Sequence, residues 1–145
     1  MRIDKNNYFL SIAEVVALRS TCLRHEVGAI IVKNDIILST GYNGPPRNFK
    51  HCETCIRDIQ NIKSGSNTEI CFAVHAEVNA VINAARNGIS ITDSELYCTH
   101  APCSNCLKII INAGIKRIHA IHNYEDSIRD EILRLSGIPL IIYKR

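Results

Sequence analysis

Leu96-Tyr97-Cys98-Thr99 is a short apolar run with strand character. It leads through His100 and Ala101 into Pro102, after which Leu107, Ile110 and Ile111 form one helical stripe that Gly114 closes. A strand therefore feeds straight into a helix. Downstream, Ile118 to Ile121 reads as a strand, Ser127 to Ser136 as a helix ended by Gly137, and Ile138 to Tyr143 as a last strand. Upstream, Val78, Val81, Ile82 and Ala85 keep helical spacing until Asn87-Gly88, a natural C-cap. Val27 to Val32 and Ile36 to Thr40 are apolar, β-branched runs separated by Lys33, Asn34 and Asp35, a hairpin signature. Phe9, Ile12, Ala13 and Val16 predict an amphipathic helix over about Asn7 to Arg19, capped by Asn6 or Asn7. A hairpin followed by alternating units implies an α/β fold of three layers, with one mixed five-stranded sheet and helices on both faces.

The 145 residues are enough to bury a core as one domain, 1–145, and too few for a second. A content of 46% hydrophobic and 21% charged residues is ordinary for a globular chain, and runs such as Ala29 to Val32 are far too short to span a bilayer. Met1 to Asn7 is polar and charged, with no signal-peptide pattern, so a cytoplasmic or otherwise intracellular location is expected. Seventeen Lys and Arg against fourteen Asp and Glu give +3, spread along the chain without a basic block. With no Trp and only eight Phe and Tyr, neither nucleic acid nor membrane is an expected partner. Cysteine is the unusual term: seven without a signal peptide favour metal or thiolate chemistry over disulfides.

Two segments carry that chemistry, His75-Ala76-Glu77 opening one helix and Pro102-Cys103-Ser104-Asn105-Cys106 opening another. Cysteines at i and i+3 on a helix start turn their sulfurs to one point, and the helix N-terminus favours the thiolate. His75 supplies a third ligand. Three protein ligands leave the fourth tetrahedral position of a zinc ion for water, which is a catalytic rather than a structural arrangement. Glu77, two residues from the ligand and not needed for coordination, is placed to move protons. Alone, the C-x-x-C fits a redox pair or half of a zinc ribbon. Paired with His-x-Glu it matches the signature of zinc-dependent nucleobase deaminases.

The chain resembles the deoxycytidylate (dCMP) deaminases within the cytidine deaminase-like fold. The likeness extends over Arg19-Ser20-Thr21-Cys22-Leu23-Arg24, Val27-Gly28-Ala29, Ser39-Thr40-Gly41-Tyr42-Asn43-Gly44, His75 to Ala80 and Ile111 to Arg117. It implies hydrolytic removal of the 4-amino group of dCMP, giving dUMP for thymidylate synthesis and ammonia. By similarity Asn43 contacts the nucleoside, Tyr124 packs on the base or sugar, and the main chain at Ala76 reads the pyrimidine edge. The 5′-phosphate needs cationic or N–H donors. Arg24, beside Ser20 and Thr21, is the leading candidate and His25 the next, although an exposed surface position explains either. Alternatives are a deaminase acting on dCTP, on free cytidine or on tRNA adenosine, and a noncatalytic zinc-stapled interaction module.

From Pro45 to about Thr68 little periodicity is sustained, and a loop that long is uncommon unless it is functional or stapled. Cys52 and Cys55 within it, with Cys22 and Cys71 flanking it, suggest a second, structural zinc over an insertion at about 45–71. His51 is a substitute ligand and Cys98 belongs to the core. The resemblance further implies a homo-oligomer, a hexamer, with dCTP and dTTP as effectors and Mg2+ accompanying an effector nucleotide. Asn83 and Arg86 would connect effector and active sites; an exposed helix face is the simpler reading of Asn83. Ala101 before Pro102, and Pro45-Pro46-Arg47-Asn48, depart from the commoner bacterial pattern.

Overall fold

A computed structural model describes residues 1–145. Five helices and five strands follow in the order α1 (Lys5–Ala17), β1 (Gly28–Lys33), β2 (Ile36–Tyr42), α2 (Ile56–Ile59), α3 (Ala76–Arg86), β3 (Glu95–His100), α4 (Ser104–Asn112), β4 (Arg117–His122), α5 (Ser127–Ser136) and β5 (Leu140–Ile142), with one 3-10 turn at Thr68–Ile70. The sheet order is β2-β1-β3-β4-β5. β1 runs antiparallel to β2 and β3, while β3, β4 and β5 are parallel, so the sheet is mixed as the sequence implies.

Local chemistry sets the boundaries. Lys33 pairs with Ile36, so the hairpin turn is only Asn34-Asp35. Both residues have positive φ, 51° and 63°, which is the I′ geometry that matches strand twist. The first helix starts two residues earlier than the apolar spacing predicts, because Asp4 caps it by accepting from Asn7 N–H at 3.1 Å. The loop expected at 45–68 contains the single turn α2, which is too short to leave a periodic signal.

Two apolar cores lie on opposite faces of the sheet. Phe9 and Leu10 of α1 pack on Ile30, Val32, Tyr97 and Ile121 on one face. Ala76, Ala80 and Ala84 of α3 join Leu107 and Ile110 of α4 against Ala29, Ile31, Leu96, Cys98, Ile118 and Ala120 on the other. Cys98 is fully buried there. The second face carries the chemistry, and α3 is seated on it with little freedom. A Cβ at Gly41 would collide with the α3 backbone at Ala76 and Ala80. Ser39 Oγ donates to Ala80 O at 2.8 Å, Asn79 Nδ2 to Tyr42 O at 2.8 Å, and Asn83 Nδ2 to Thr40 O at 2.7 Å. The helix that begins at His75 is thus fixed against strand β2 along its length.

Candidate active site

His75 is the N-cap of α3 and Cys103 the N-cap of α4. Both positions lie at the tops of helices that pack side by side on the same sheet face, so the two motifs converge although 28 residues separate them. The ligand atoms of His75, Cys103 and Cys106 all lie within 4.8 Å of one another, and no other His, Cys, Asp or Glu group gathers so closely. His75 Nδ1 is 3.2 Å from Cys106 Sγ and 3.7 Å from Cys103 Sγ. Tetrahedral zinc, with Zn–S of about 2.3 Å and Zn–N of about 2.0 Å, holds nitrogen and sulfur ligands roughly 3.5 Å apart. One imidazole and two thiols at these separations therefore fit a zinc ion.

The electrostatics agree with a thiolate at the helix start. A hydrogen bond from the Cys106 thiol, then those from His75 and the Cys106 N–H, hold Cys103 below the ordinary thiol value against burial, while Cys106 is pushed the other way. Glu77 is 3% exposed, and burial raises its carboxyl above the ordinary value, with His75 pulling the other way. A carboxyl raised in this way sits closer to neutrality and exchanges a proton more readily. Tyr124 lies between β4 and α5. Burial, then the negative charges of Cys103 and Glu77, hold its hydroxyl above the ordinary value and protonated, so Tyr124 borders the same site.

Asn43 is 6% exposed and already engaged. Its Oδ1 accepts from Ser20 Oγ and from Val27 N–H at 3.0 Å, and its Nδ2 donates to His25 O at 2.8 Å. One Nδ2 hydrogen is left for a ligand. Ser20 supports Asn43 through its hydroxyl. The adjoining Gly44 pairs with Val74, so the Tyr42-Asn43-Gly44 turn is tied to the residue before His75. Ala76 N–H lies in the first turn of α3, where backbone donors have no helical acceptor. Arg24 is turned elsewhere: its Nε pairs with Asp58 at 3.1 Å and its Nη2 donates to Ile62 O at 3.2 Å. Only Nη1, buried and without a partner, remains.

Outside this group, Cys22, Cys52, Cys55 and Cys71 are free, half-buried thiols, and His51 is exposed. Arg86 is also exposed. Asn83 lines an open cleft between β2 and α3 and accepts from Arg47 Nη2 at 3.0 Å. Two supporting residues escape the sequence reading. Asp126 Oδ2 accepts from Ser104 N–H at 3.0 Å, and the guanidinium of Arg129, 2% exposed, donates to Asn123 Oδ1 and Tyr124 O and lies 5.2 Å from the Tyr124 ring. An Asp just before a helix signals a cap, but nothing local signals its reach to α4.

Residues 3–122 match the family described as the cytidine and deoxycytidylate deaminase zinc-binding region. The chain belongs to that family. It is similar to ComE operon protein 2 of Bacillus subtilis, with 36% identity over 126 residues covering 86% of this chain and 62% of that protein. It is also similar to the deoxycytidylate deaminase of Mycobacterium phage D29, with 39% identity over 122 residues covering 81% of this chain and 94% of that protein. The crystal structure of dCMP deaminase from cyanophage S-TIM5 in complex with dCMP and dUMP superposes with a TM-score of 0.82 at 33% identity, covering 99% of both chains. The chain thus spans less than two thirds of the Bacillus subtilis relative and nearly the whole of the two phage proteins. No helix is long and apolar enough to cross a membrane.

Proposed function

We propose that this chain is a zinc-dependent deaminase that converts dCMP and water to dUMP and ammonia. The observation that carries the reading is the buried carboxyl of Glu77 beside three converging ligands, His75, Cys103 and Cys106. The phage relative named deoxycytidylate deaminase and the related fold holding dCMP and dUMP give the substrate. His75, Cys103 and Cys106 would hold the zinc, which would supply Lewis acidity and hydroxide at neutral pH. Glu77 takes the proton of the attacking water as C4 becomes tetrahedral, passes it to N3, and then assists departure of the amino group as ammonia. Ala76 N–H offers a donor to the pyrimidine edge, Asn43 keeps one N–H for the nucleoside, and Tyr124 walls the base. Arg24 can reach the phosphate through Nη1 alone. A screen for ammonia release from dCMP, dCTP, deoxycytidine, cytidine and tRNA tests the reading. Chelator-sensitive release from dCMP is expected, and silence on every pyrimidine nucleotide by zinc-loaded protein rejects it.

The proposal includes a single catalytic domain whose 45–71 segment is stapled by a second zinc on Cys22, Cys52, Cys55 and Cys71, with His51 as a substitute ligand. Two features support it. Cys22 Sγ accepts from Arg24 N–H and Cys71 Sγ from Ala73 N–H, each at 3.4 Å, the local bond a ligating thiolate makes. The Cys52 thiol is raised by burial and then by Cys71, Cys22 and Cys55, so the four cysteines share one neighbourhood, although their sulfurs do not gather as closely as the ligand atoms of His75, Cys103 and Cys106. Hexamer assembly and control by dCTP and dTTP, with Mg2+ on the effector, extend the same family likeness, with Asn83 and Arg86 as the residues to test.

A further inference from the structure

The one fully buried residue of α5 is charged: Arg129. Its only carboxylate partner is Asp130, whose Oδ1 accepts from Nε and from Nη2 at 3.1 Å each. The Asp130 side chain is mostly exposed, so water screens that charge. Burying a guanidinium against so weak a counter-ion is unfavourable, and an apolar residue would fill the space under the helix without that penalty. Apart from Asp130, every contact of the cation falls on Tyr124 and its neighbour Asn123.

Tyr124 is held on three sides. Arg129 Nη2 donates to Tyr124 O at 2.9 Å and to Asn123 Oδ1 at 3.1 Å, and that same Oδ1 accepts from Tyr124 N–H at 2.9 Å. Both backbone polar groups of Tyr124 are therefore tied to one guanidinium, the carbonyl directly and the N–H through the Asn123 amide. The guanidinium carbon lies over the Tyr124 ring, 5.2 Å from its centroid, within the range at which a cation is drawn to a π face. One face of the ring is thus backed by Arg129. The residue is otherwise exposed, and Cys103 and Glu77 act on its hydroxyl from the site. A lysine would bring the charge but not the planar fork that reaches two oxygens and the ring at once.

We propose that Arg129 is a positioning residue of the reaction, the group that sets the Tyr124 ring against the substrate base by clasping its backbone and its rear face. This rests on the pyrimidine nucleotide reading above, in which Tyr124 walls the base. A wall orients a base only if it is itself fixed, and Tyr124 stands in the connection between β4 and α5, outside any strand or helix. The Arg129 side chain makes no hydrogen bond to His75, Glu77, Cys103 or Cys106, so its effect passes through Tyr124. The Asp126 cap uses the backbone N–H of Arg129, which side-chain variants keep. A ring that wanders loses its contact with the base in the ground state and the transition state alike, which is uniform binding and shows in KM.

The test is a double-mutant cycle on full-length, zinc-loaded protein with dCMP, comparing wild type, Arg129→Met, Tyr124→Leu and the double variant, with zinc content and circular dichroism as controls. Methionine keeps an unbranched side chain and removes the charge and the donors. Alone, Arg129→Met should raise KM about tenfold with a smaller change in kcat. In the Tyr124→Leu background the same substitution should change KM by less than about twofold, because the ring it serves is gone. Equal losses in the two backgrounds overturn the proposal, since a purely structural role for Arg129 does not depend on the ring. No loss in either background overturns it as well. If Arg129→Met fails to fold or to load zinc, Arg129→Lys carries the same cycle with an expected rise of about threefold. A wild type that turns over no pyrimidine nucleotide rejects the proposed function and this proposal with it, whereas wild-type turnover with additive losses overturns this proposal alone.

Discussion

The carboxylate of Asp126 accepts a hydrogen bond from the backbone N–H of Ser104 at 3.0 Å, joining the cap of α5 to the first turn of α4. Its other oxygen accepts from Arg129 N–H at 2.9 Å, so one side chain satisfies orphan donors on two helices. Ser104 immediately follows Cys103. Asp126 therefore fixes the backbone that aims a ligand, in the way outer groups tune metal sites.

Replacing Asp126 by Ala should weaken zinc binding by about 10- to 100-fold, the usual effect of losing such a group. Competition with a chromophoric chelator measures it. The lost cap should also lower stability by about 1 kcal/mol. Wild-type resistance to the chelator would show that Asp126 serves the helix end alone.

Glu77→Gln should keep the fold and the metal, because none of the ligand atoms is touched and the amide fills nearly the same volume. Turnover of dCMP should fall about 10² to 10⁴-fold, the range typical for a lost general acid and base. Steady-state assays with zinc content measured on the same sample decide it. Activity within severalfold of wild type would remove Glu77 from proton transfer.

Metal analysis should find two zinc ions per chain, and the two cysteine sets should fail differently. Cys103→Ala should lose one ion and all activity while staying folded. Cys55→Ala should lose the other and expose the 45–71 segment to protease, since side-chain contacts such as those of Arg24 with Asp58 and Ile62 and of Arg47 with Asn83 would then have to hold it. One ion per fully loaded chain, with Cys55→Ala indistinguishable from wild type, would refute the second site.

What could be read from the sequence follows the range of the interaction. His75, Glu77, Cys103 and Cys106 stand in two short motifs with fixed spacing at helix starts, so their chemistry is visible before any fold is known. The hairpin at Asn34-Asp35 and the helix stops at Gly88, Gly114 and Gly137 are equally local, each glycine taking positive φ. Arg24 shows the limit: adjacency to Ser20 suggests a phosphate contact, but its guanidinium reaches Ile62, 38 residues away, and Asp58. The pairing of His100 with His122 needs the β3 to β4 register, which no spacing rule supplies. α2 is a single turn and leaves no period to detect.

The last expectation concerns acid stability and comes from the face of the sheet away from the ligands. His119 is buried, stacked on Tyr97 with ring centroids 4.1 Å apart and planes 5° from parallel. Its Nε2 lies 3.3 Å from Glu95 Oε1 and its Nδ1 2.8 Å from Tyr143 OH. A carboxylate only accepts, so Nε2 carries the proton and Nδ1 accepts from the tyrosine. Burial holds the His119 pKa below its ordinary value, and Glu95 offsets part of that. The unfolded chain takes up this proton near pH 6.5, whereas the folded chain resists it to lower pH. Below about pH 6.5 the unfolded state therefore binds more protons, and the stability present above that pH is lost as the pH falls. Urea unfolding of wild type and His119→Gln at pH 7.5, 6.5 and 5.5 should show the wild type losing more stability across the series, even though the variant starts lower. Tyr143, whose hydroxyl is 2.8 Å from His119 Nδ1, is the local group whose fluorescence reports the change. Parallel slopes for the two proteins would assign the acid sensitivity to other groups, the metal ligands first among them.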